Sequence, residues 1–281
     1  MYERILVPLD GSQLAEIALP YAEELSGRLG SEVTLIYVSE SIDDPHRHMH
    51  QFYMQKMAES TKQGAETYTR KLGKELAIQV RSVNLAGNPA GEIVEYADKE
   101  GIGLIVMSTH GQSGIGRWTI GSIANKVVRA TKQPVVLIRA EGPRPDVPQK
   151  DMLRKALLPL DGSRESEAAI PYVAELASRL GISVVLLQVL AIGDKALAED
   201  YLEKIGAQLK QKGVTVESQV RFGEAATEII DLADEIRADV IAMSTHGRSG
   251  IGRWVLGSVA ERVLYEGNTP LLLVRGTVGD R

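Results

Sequence analysis

This chain is written twice, and the repeat constrains its fold more than any other feature. ILVPLDGS at residues 5–12 recurs as LLPLDGS at 157–163, and STHGQSGIGRWTIGSIA at 108–124 recurs as STHGRSGIGRWVLGSVA at 244–260. Asp10 and Asp161 lie 151 positions apart, Ser108 and Ser244 only 136, so the first copy holds 15 residues more between these anchors. The excess falls in SIDDPHRHMHQFYMQKMAESTKQG, which the second copy replaces with the shorter AIGDKALAED. Residues 141–151, EGPRPDVPQKD, combine three prolines with charge and no apolar periodicity, the composition of a partly extended linker. Domains at 1–140 and 152–281 follow, which suits a chain of 281 residues better than one large core.

Within each copy short apolar runs alternate with helical periods. Residues 5–9 form a continuous apolar run suited to a strand covered on both faces. Leu14, Ile17, Ala18, Tyr21, Ala22 and Leu25 then trace the stripe of an amphipathic helix. Pro20, and Pro171 in the second copy, predict a kink or a late helix start there, because proline lacks a backbone donor. Strands are expected at 33–38, 78–85, 104–107 and 135–138, and helices at 51–76, 90–99 and 122–129. In the second copy Leu157, Val184, Val214, Val240 and Leu271 open the strands. Strands alternating with helices mean right-handed crossovers and a parallel sheet. The fold class is therefore α/β: two tandem five-stranded, doubly wound, Rossmann-like domains of three layers. The β-branched runs PVVLIR and PLLLVR that close the copies suit a pseudo-twofold pairing of the two domains.

Composition narrows the functional classes. A net charge of -5 and a pI near 5.7 offer no basic field for nucleic acid. The longest apolar stretch, at 183–192, is half the roughly 20 residues of a membrane span and is interrupted by Gln188. No signal-peptide pattern opens the chain, so a cytoplasmic location is expected. With no cysteine there is no thiolate metal site and no cysteine nucleophile.

Ligands of open α/β sheets bind beyond the carboxyl ends of the strands, where the strand order reverses. Asp10 follows the first strand, Val38 ends the second, and the fourth runs into Ser108-Thr-His-Gly111, a glycine-rich loop and Gly121-Ser122 at a helix start. Glycines admit an anion close to backbone amides, and a helix start adds unpaired N–H groups and a favourable dipole. Asp10 is placed to accept from a ribose hydroxyl, and Val38 to flank a flat base. Asp161, Val189, Ser244, Gly247, Gly257 and Ser258 repeat the set. Taken singly, each element has a plainer reading. Gly-Ser before a helix is often only an N-cap, Ser258 with Glu261 matches a capping box, and an aspartate after a strand often caps the next helix. The combination weighs more: 17 of 32 positions agree between copies from 108 to 139, against 10 of 30 from 78 to 107. The surplus sits in loop glycines and polar residues, where packing demands little.

These residues carry a resemblance. PLDGS after a strand, then STHG, nine residues and GS, is similar to the universal stress protein family, here as a tandem covering nearly the whole chain. Its nucleotide-binding members carry Gly-x-x-Gly, nine residues and Gly-Ser/Thr. Gly111 and Gly247 fill the second glycine, while Ser108 and Ser244 stand in for the first. The resemblance implies two nucleotide sites, the first comprising Pro8, Asp10, Val38, Met107, Ser108, Gly111, Ser113, Gly114, Gly121, Ser122 and Ile123. The second comprises Pro159, Asp161, Val189, Met243, Ser244, Gly247, Ser249, Gly250, Gly257, Ser258 and Val259. The aspartates would touch ribose, Val38 and Val189 adenine, and the glycine loops the triphosphate, with Mg2+ held mainly by the phosphates. The implied ligand is ATP, with ADP or AMP as alternatives. The implied role is a nucleotide-dependent stress-response module acting on a protein partner, with a homodimer as a further option.

The remaining motifs carry less. His46, His48 and His50 suggest a metal site by composition, and on a strand-like segment they would share one face, but with no carboxylate fixed beside them other than Asp43 or Asp44 they read as a solvated insertion. His110 and His246 would steady the phosphate loop, with direct phosphate contact as the alternative; Arg117 and Arg253 would reach phosphate, stack on Trp118 and Trp254 or stay in solvent, and the tryptophans would pack against the loop. No Gly-Lys-Ser/Thr follows a glycine loop and no Gly-x-Ser-x-Gly is present, so neither a P-loop enzyme nor a nucleophile elbow is supported. At most, slow ATP hydrolysis or self-phosphorylation at Ser113 or Ser249 is expected. A scaffold that binds no nucleotide is the competing reading, and an adenylating ligase would need substrate residues that the sequence does not offer.

Overall fold

Apolar runs buried on both faces require a sheet covered by helices on both sides. Such runs supply β1 (Arg4–Leu9), β2 (Glu32–Ser39), β4 (Leu104–Ser108) and β5 (Val135–Ile138), with the half-exposed β3 (Val80–Ala86) at the edge. The second copy supplies β6 (Lys155–Pro159), β7 (Ser183–Leu190), β8 (Val216–Phe222), β9 (Val240–Ser244) and β10 (Leu271–Val274). In this computed structural model the described residues are 1–41, 43–73, 76–111, 120–139, 152–245 and 256–276. The chain divides into two units, Met1–Met152 and Leu153–Arg281.

Each unit has the expected α/β architecture. The first sheet runs β3-β2-β1-β4-β5 and the second β8-β7-β6-β9-β10, with parallel pairing throughout both. The chain moves outward from β1 through α1 (Gln13–Glu16), α2 (Leu19–Leu29) and α3 (Arg47–Lys71) to β3. It returns through α4 (Pro89–Lys99) and α5 (Ser122–Ala130) to β4 and β5. Right-handed crossovers in opposite directions place the two helix sets on opposite faces; α2 packs on α3 and α4 on α5. The second unit repeats this with α6 (Arg164–Glu167), α7 (Ile170–Leu180), α8 (Lys195–Gln211), α9 (Ala225–Glu235) and α10 (Ser258–Glu266). Strand order therefore reverses between β1 and β4, and again between β6 and β9.

Local chemistry explains where elements begin and end. Pro20 and Pro171 delay the helix: the amphipathic stripe splits into a four-residue turn and a new helix with proline in its first turn. The HRHMH run, expected as a solvated insertion, is helical. It forms the N-cap and first turn of α3, which is 25 residues long against 17 for α8. Much of the first-copy excess thus extends a helix. That helix stops at Lys71, short of the expected 76, just ahead of Gly73 in the left-handed region at φ +64°. Likewise β8 opens at Val216 rather than Val214, because the Val214 amide is spent on the Leu209 carbonyl at the end of α8. β6 opens at Lys155, two residues before Leu157, because Lys155 already pairs with Ser183.

Two glutamates on α2 mark contrasting environments. Glu24 is fully buried; its carboxylate accepts from Arg28 Nη1 at 2.5 Å and from the Met152 amide at 2.6 Å. Glu23 is half-buried against bare Gly64 of α3, where a Cβ would collide with its carboxyl group. Burial pushes the Glu23 carboxyl up to about 7. A carboxyl raised in the fold keeps its proton where the unfolded chain has lost it. Its contribution is therefore greatest below about pH 4.5, declines as pH rises towards 7, and is flat above. Glu23→Gln should flatten that slope and stabilise the protein at pH 8 by about 1–2 kcal/mol, discounted for partial exposure. Urea unfolding of both proteins at pH 5 and pH 8 checks it; equal gains at the two pH values would refute it. Among the described residues, no helix is long and apolar enough to cross a membrane.

Candidate functional site

The reversal of strand order opens a crevice at the carboxyl ends of β1 and β4, and the sequence places its distinctive residues there. In Asp-Gly-Ser, Ser12 caps α1, its Oγ accepting from the Ala15 amide at 3.2 Å. The same serine grips Asp10: its amide and its hydroxyl donate to Oδ1 at 3.0 and 2.6 Å. The second copy repeats this arrangement, with Ser163 donating to Asp161 Oδ1 at 2.9 and 2.5 Å and capping α6. The capping role considered for the aspartates thus belongs to the serines, which orient them. Asp10 Oδ2 stands against Gly111, where a Cβ would run into it.

The loop after β4 is tied at its base. The Thr109 amide donates to Ile138 at 2.8 Å, and the Gly121 amide returns to the Thr109 carbonyl at 2.7 Å. Thr245 and Gly257 close the second loop at 2.6 Å. Ser108 turns its hydroxyl to the base of the loop and accepts from the His110 amide at 3.2 Å. His110 in turn lies 3.0 Å from Thr109 Oγ1 through Nδ1.

Closure delivers the start of a helix to the crevice. The N-caps of α5 and α10 are Gly121 and Gly257, so Ser122 and Ser258 are the first helical residues and no capping box forms. Among the described residues no side chain caps either helix, as is also true of α2, α3 and α7, but α5 and α10 are the uncapped helices whose first residues line the cavities. The leading amides of α5 and α10 therefore face the crevice with the helix dipole behind them, an arrangement suited to an anion.

A cavity of about 540 Å³ collects these groups in the first unit, and one of about 280 Å³ in the second. Pro8, Asp10, Val38, Met107, Ser108, Gly111, Gly121, Ser122 and Ile123 line the first. Pro159, Asp161, Val189, Met243, Ser244, Gly257, Ser258 and Val259 line the second. Ser113, Gly114, Gly247, Ser249 and Gly250 lie outside the described residues, as do His246, Arg117, Trp118, Arg253 and Trp254. Sequence reasoning missed Ile36, Ile93 and Thr109 with their counterparts Leu187, Ile229 and Thr245. Nothing in an apolar residue on a strand or helix distinguishes a cavity wall from core. It also missed Tyr37, Asp44 and His50, which line the first cavity only. Asp44 and His50 belong to the segment read there as solvated.

No group of three or more His, Cys, Asp or Glu suited to a metal occurs among the described residues. His50 is committed elsewhere, to Asp44 at 2.7 Å and Tyr37 at 3.1 Å.

Comparison with known proteins follows the repeat. The family described as "Universal stress protein family" matches residues 1–139 and again 152–275. A universal stress protein of Methanocaldococcus jannaschii is 30% identical over 142 residues, covering 50% of this chain and 83% of its own. One of Synechocystis is 21% identical over 301 residues, covering 97% of this chain and 100% of its own. Among solved structures, a universal stress protein from Archaeoglobus fulgidus superposes with a TM-score of 0.74 at 20% identity, across 99% of this chain and 97% of that one.

Proposed function

The chain belongs to the universal stress protein family, with two tandem domains, and from that premise we propose that each half binds an adenine nucleotide. The supporting observation is the pairing, in both units, of an uncapped helix N-terminus with a serine-gripped aspartate across one cavity. The helix end suits phosphate and the aspartate suits ribose hydroxyls, and Val38 and Val189 provide apolar surface for the base. ATP is the ligand of choice. The donors at the phosphate end are amides and hydroxyls, which fit phosphate oxygens; Mg2+, which keeps water and phosphate ligands readily, would be carried with them.

The proposed role is regulatory. A nucleotide that binds only the folded protein stabilises it by mass action, and one that binds two surface states unequally shifts them without turnover. The direct test is to denature freshly purified protein and identify released nucleotide by mass spectrometry with its stoichiometry. Two adenine nucleotides per chain are expected. None released, together with no thermal shift on adding MgATP, would overturn the proposal in favour of a nucleotide-free scaffold.

A further inference from the structure

The two cavities differ in a way the repeat alone would not produce. In the first, Tyr37 of β2 is buried and hydrogen-bonds through its hydroxyl to His50 Nε2 at 3.1 Å. The other ring nitrogen, Nδ1, meets Asp44 Oδ2 at 2.7 Å, and Asp44 is itself fixed by the His46 amide at 2.9 Å on Oδ1. The Tyr37 and His50 rings lie 4.4 Å apart between centroids. All three residues line the cavity shared with Asp10 and Ser122. In the second unit Gln188 occupies the strand position of Tyr37; it is buried, its Oε1 has no hydrogen-bond partner, and it does not line the cavity.

We propose that Tyr37 contacts the nucleoside end of the ligand in the first site alone, with His50 and Asp44 as its positioning residues. The inference rests on the nucleotide reading of the site. Tyr37 pairs in register with Leu9, the residue before Asp10, and lines the same cavity as Asp10 and Val38, the residues proposed for ribose and base. Burial, then the carboxylates of Asp44 and Asp10, hold its hydroxyl above the usual phenol range, so Tyr37 acts as a neutral hydroxyl. Asp44 fixes the imidazole, the imidazole engages one side of the hydroxyl, and the hydroxyl's remaining hydrogen-bonding capacity is directed at the ligand. The first-copy excess thus converts one of two duplicate sites into a site of different selectivity.

Calorimetric titration of the full chain with MgATP tests this. Tyr37→Phe should weaken one of the two sites by about tenfold, the value of one hydrogen bond, and leave the other unchanged. Magnesium tripolyphosphate, which has no nucleoside, should bind the variant as it binds the wild type. His50→Leu should reproduce the loss and His50→Gln should largely restore affinity, because glutamine can still hydrogen-bond the tyrosine. A wild type that binds MgATP at two sites with Tyr37→Phe unaffected overturns this inference alone. A loss shared equally by MgATP and tripolyphosphate overturns it in favour of a structural role. A wild type that binds no MgATP overturns it together with the nucleotide reading.

Discussion

Gly111→Ala is expected to weaken nucleotide binding at the first site by about a hundredfold, roughly 2.7 kcal/mol, and to leave the second unchanged. The cost is one of space. A Cβ at position 111 would land on Asp10 Oδ2. The carboxylate cannot simply rotate aside, because Oδ1 already accepts from the Ser12 amide and hydroxyl at 3.0 and 2.6 Å. Either the aspartate gives up that grip or the loop backs away from β1, and each outcome separates the ribose partner from the helix end that would hold phosphate. Misplacement of a binding group by about an ångström has effects of this order in preorganised sites. Two-site calorimetry with MgATP checks it, with circular dichroism to establish that the fold is retained. Affinity within threefold of wild type would remove Gly111 and Asp10 from the proposed site.

Glu24→Ala is expected to destabilise the first unit by about 3–5 kcal/mol. Glu24 is fully buried and Arg28 nearly so, its side chain 14% exposed. Removing the carboxylate takes from the guanidinium its 2.5 Å partner where little water reaches, and also takes the acceptor from the Met152 amide. The loss should be largely recovered in the double variant Glu24→Leu/Arg28→Leu, since replacing a buried pair with apolar residues is often neutral. Urea unfolding of the single and double variants makes the measurement. A single-variant cost below about 1 kcal/mol would mean that water reaches the pair and that the burial overstates its isolation.

Much of the site was legible because its chemistry is local. Asp-Gly-Ser places a cap and an aspartate within three residues, and Gly-Ser marks a helix start wherever it folds. The competing readings of those same motifs were separated only by the structure. Ser12 proved to be the cap and Asp10 its acceptor. Gly121 and Gly257 proved to be the N-caps of α5 and α10, so that Ser258 is a first helical residue and does not form with Glu261 the box their spacing suggested. The HRHMH segment was misread for a different reason. Its histidines were weighed as a composition, whereas what matters is that helical geometry and the Asp44 turn bring one of them, His50, to Tyr37.

By itself, then, the sequence determined that this protein has two α/β domains, the order in which strands and helices alternate in each, and which loops meet at the reversal of strand order. Those follow from apolar periodicity, proline and glycine, whose effects act within a few residues. Only the tertiary structure decided which amides remain for a ligand, which carboxylates are already held, and that the two cavities differ. Those depend on partners such as Gly121 with Thr109, Glu24 with Met152 and Tyr37 with His50, which are distant along the chain and meet only once the sheet and its helices have closed around them.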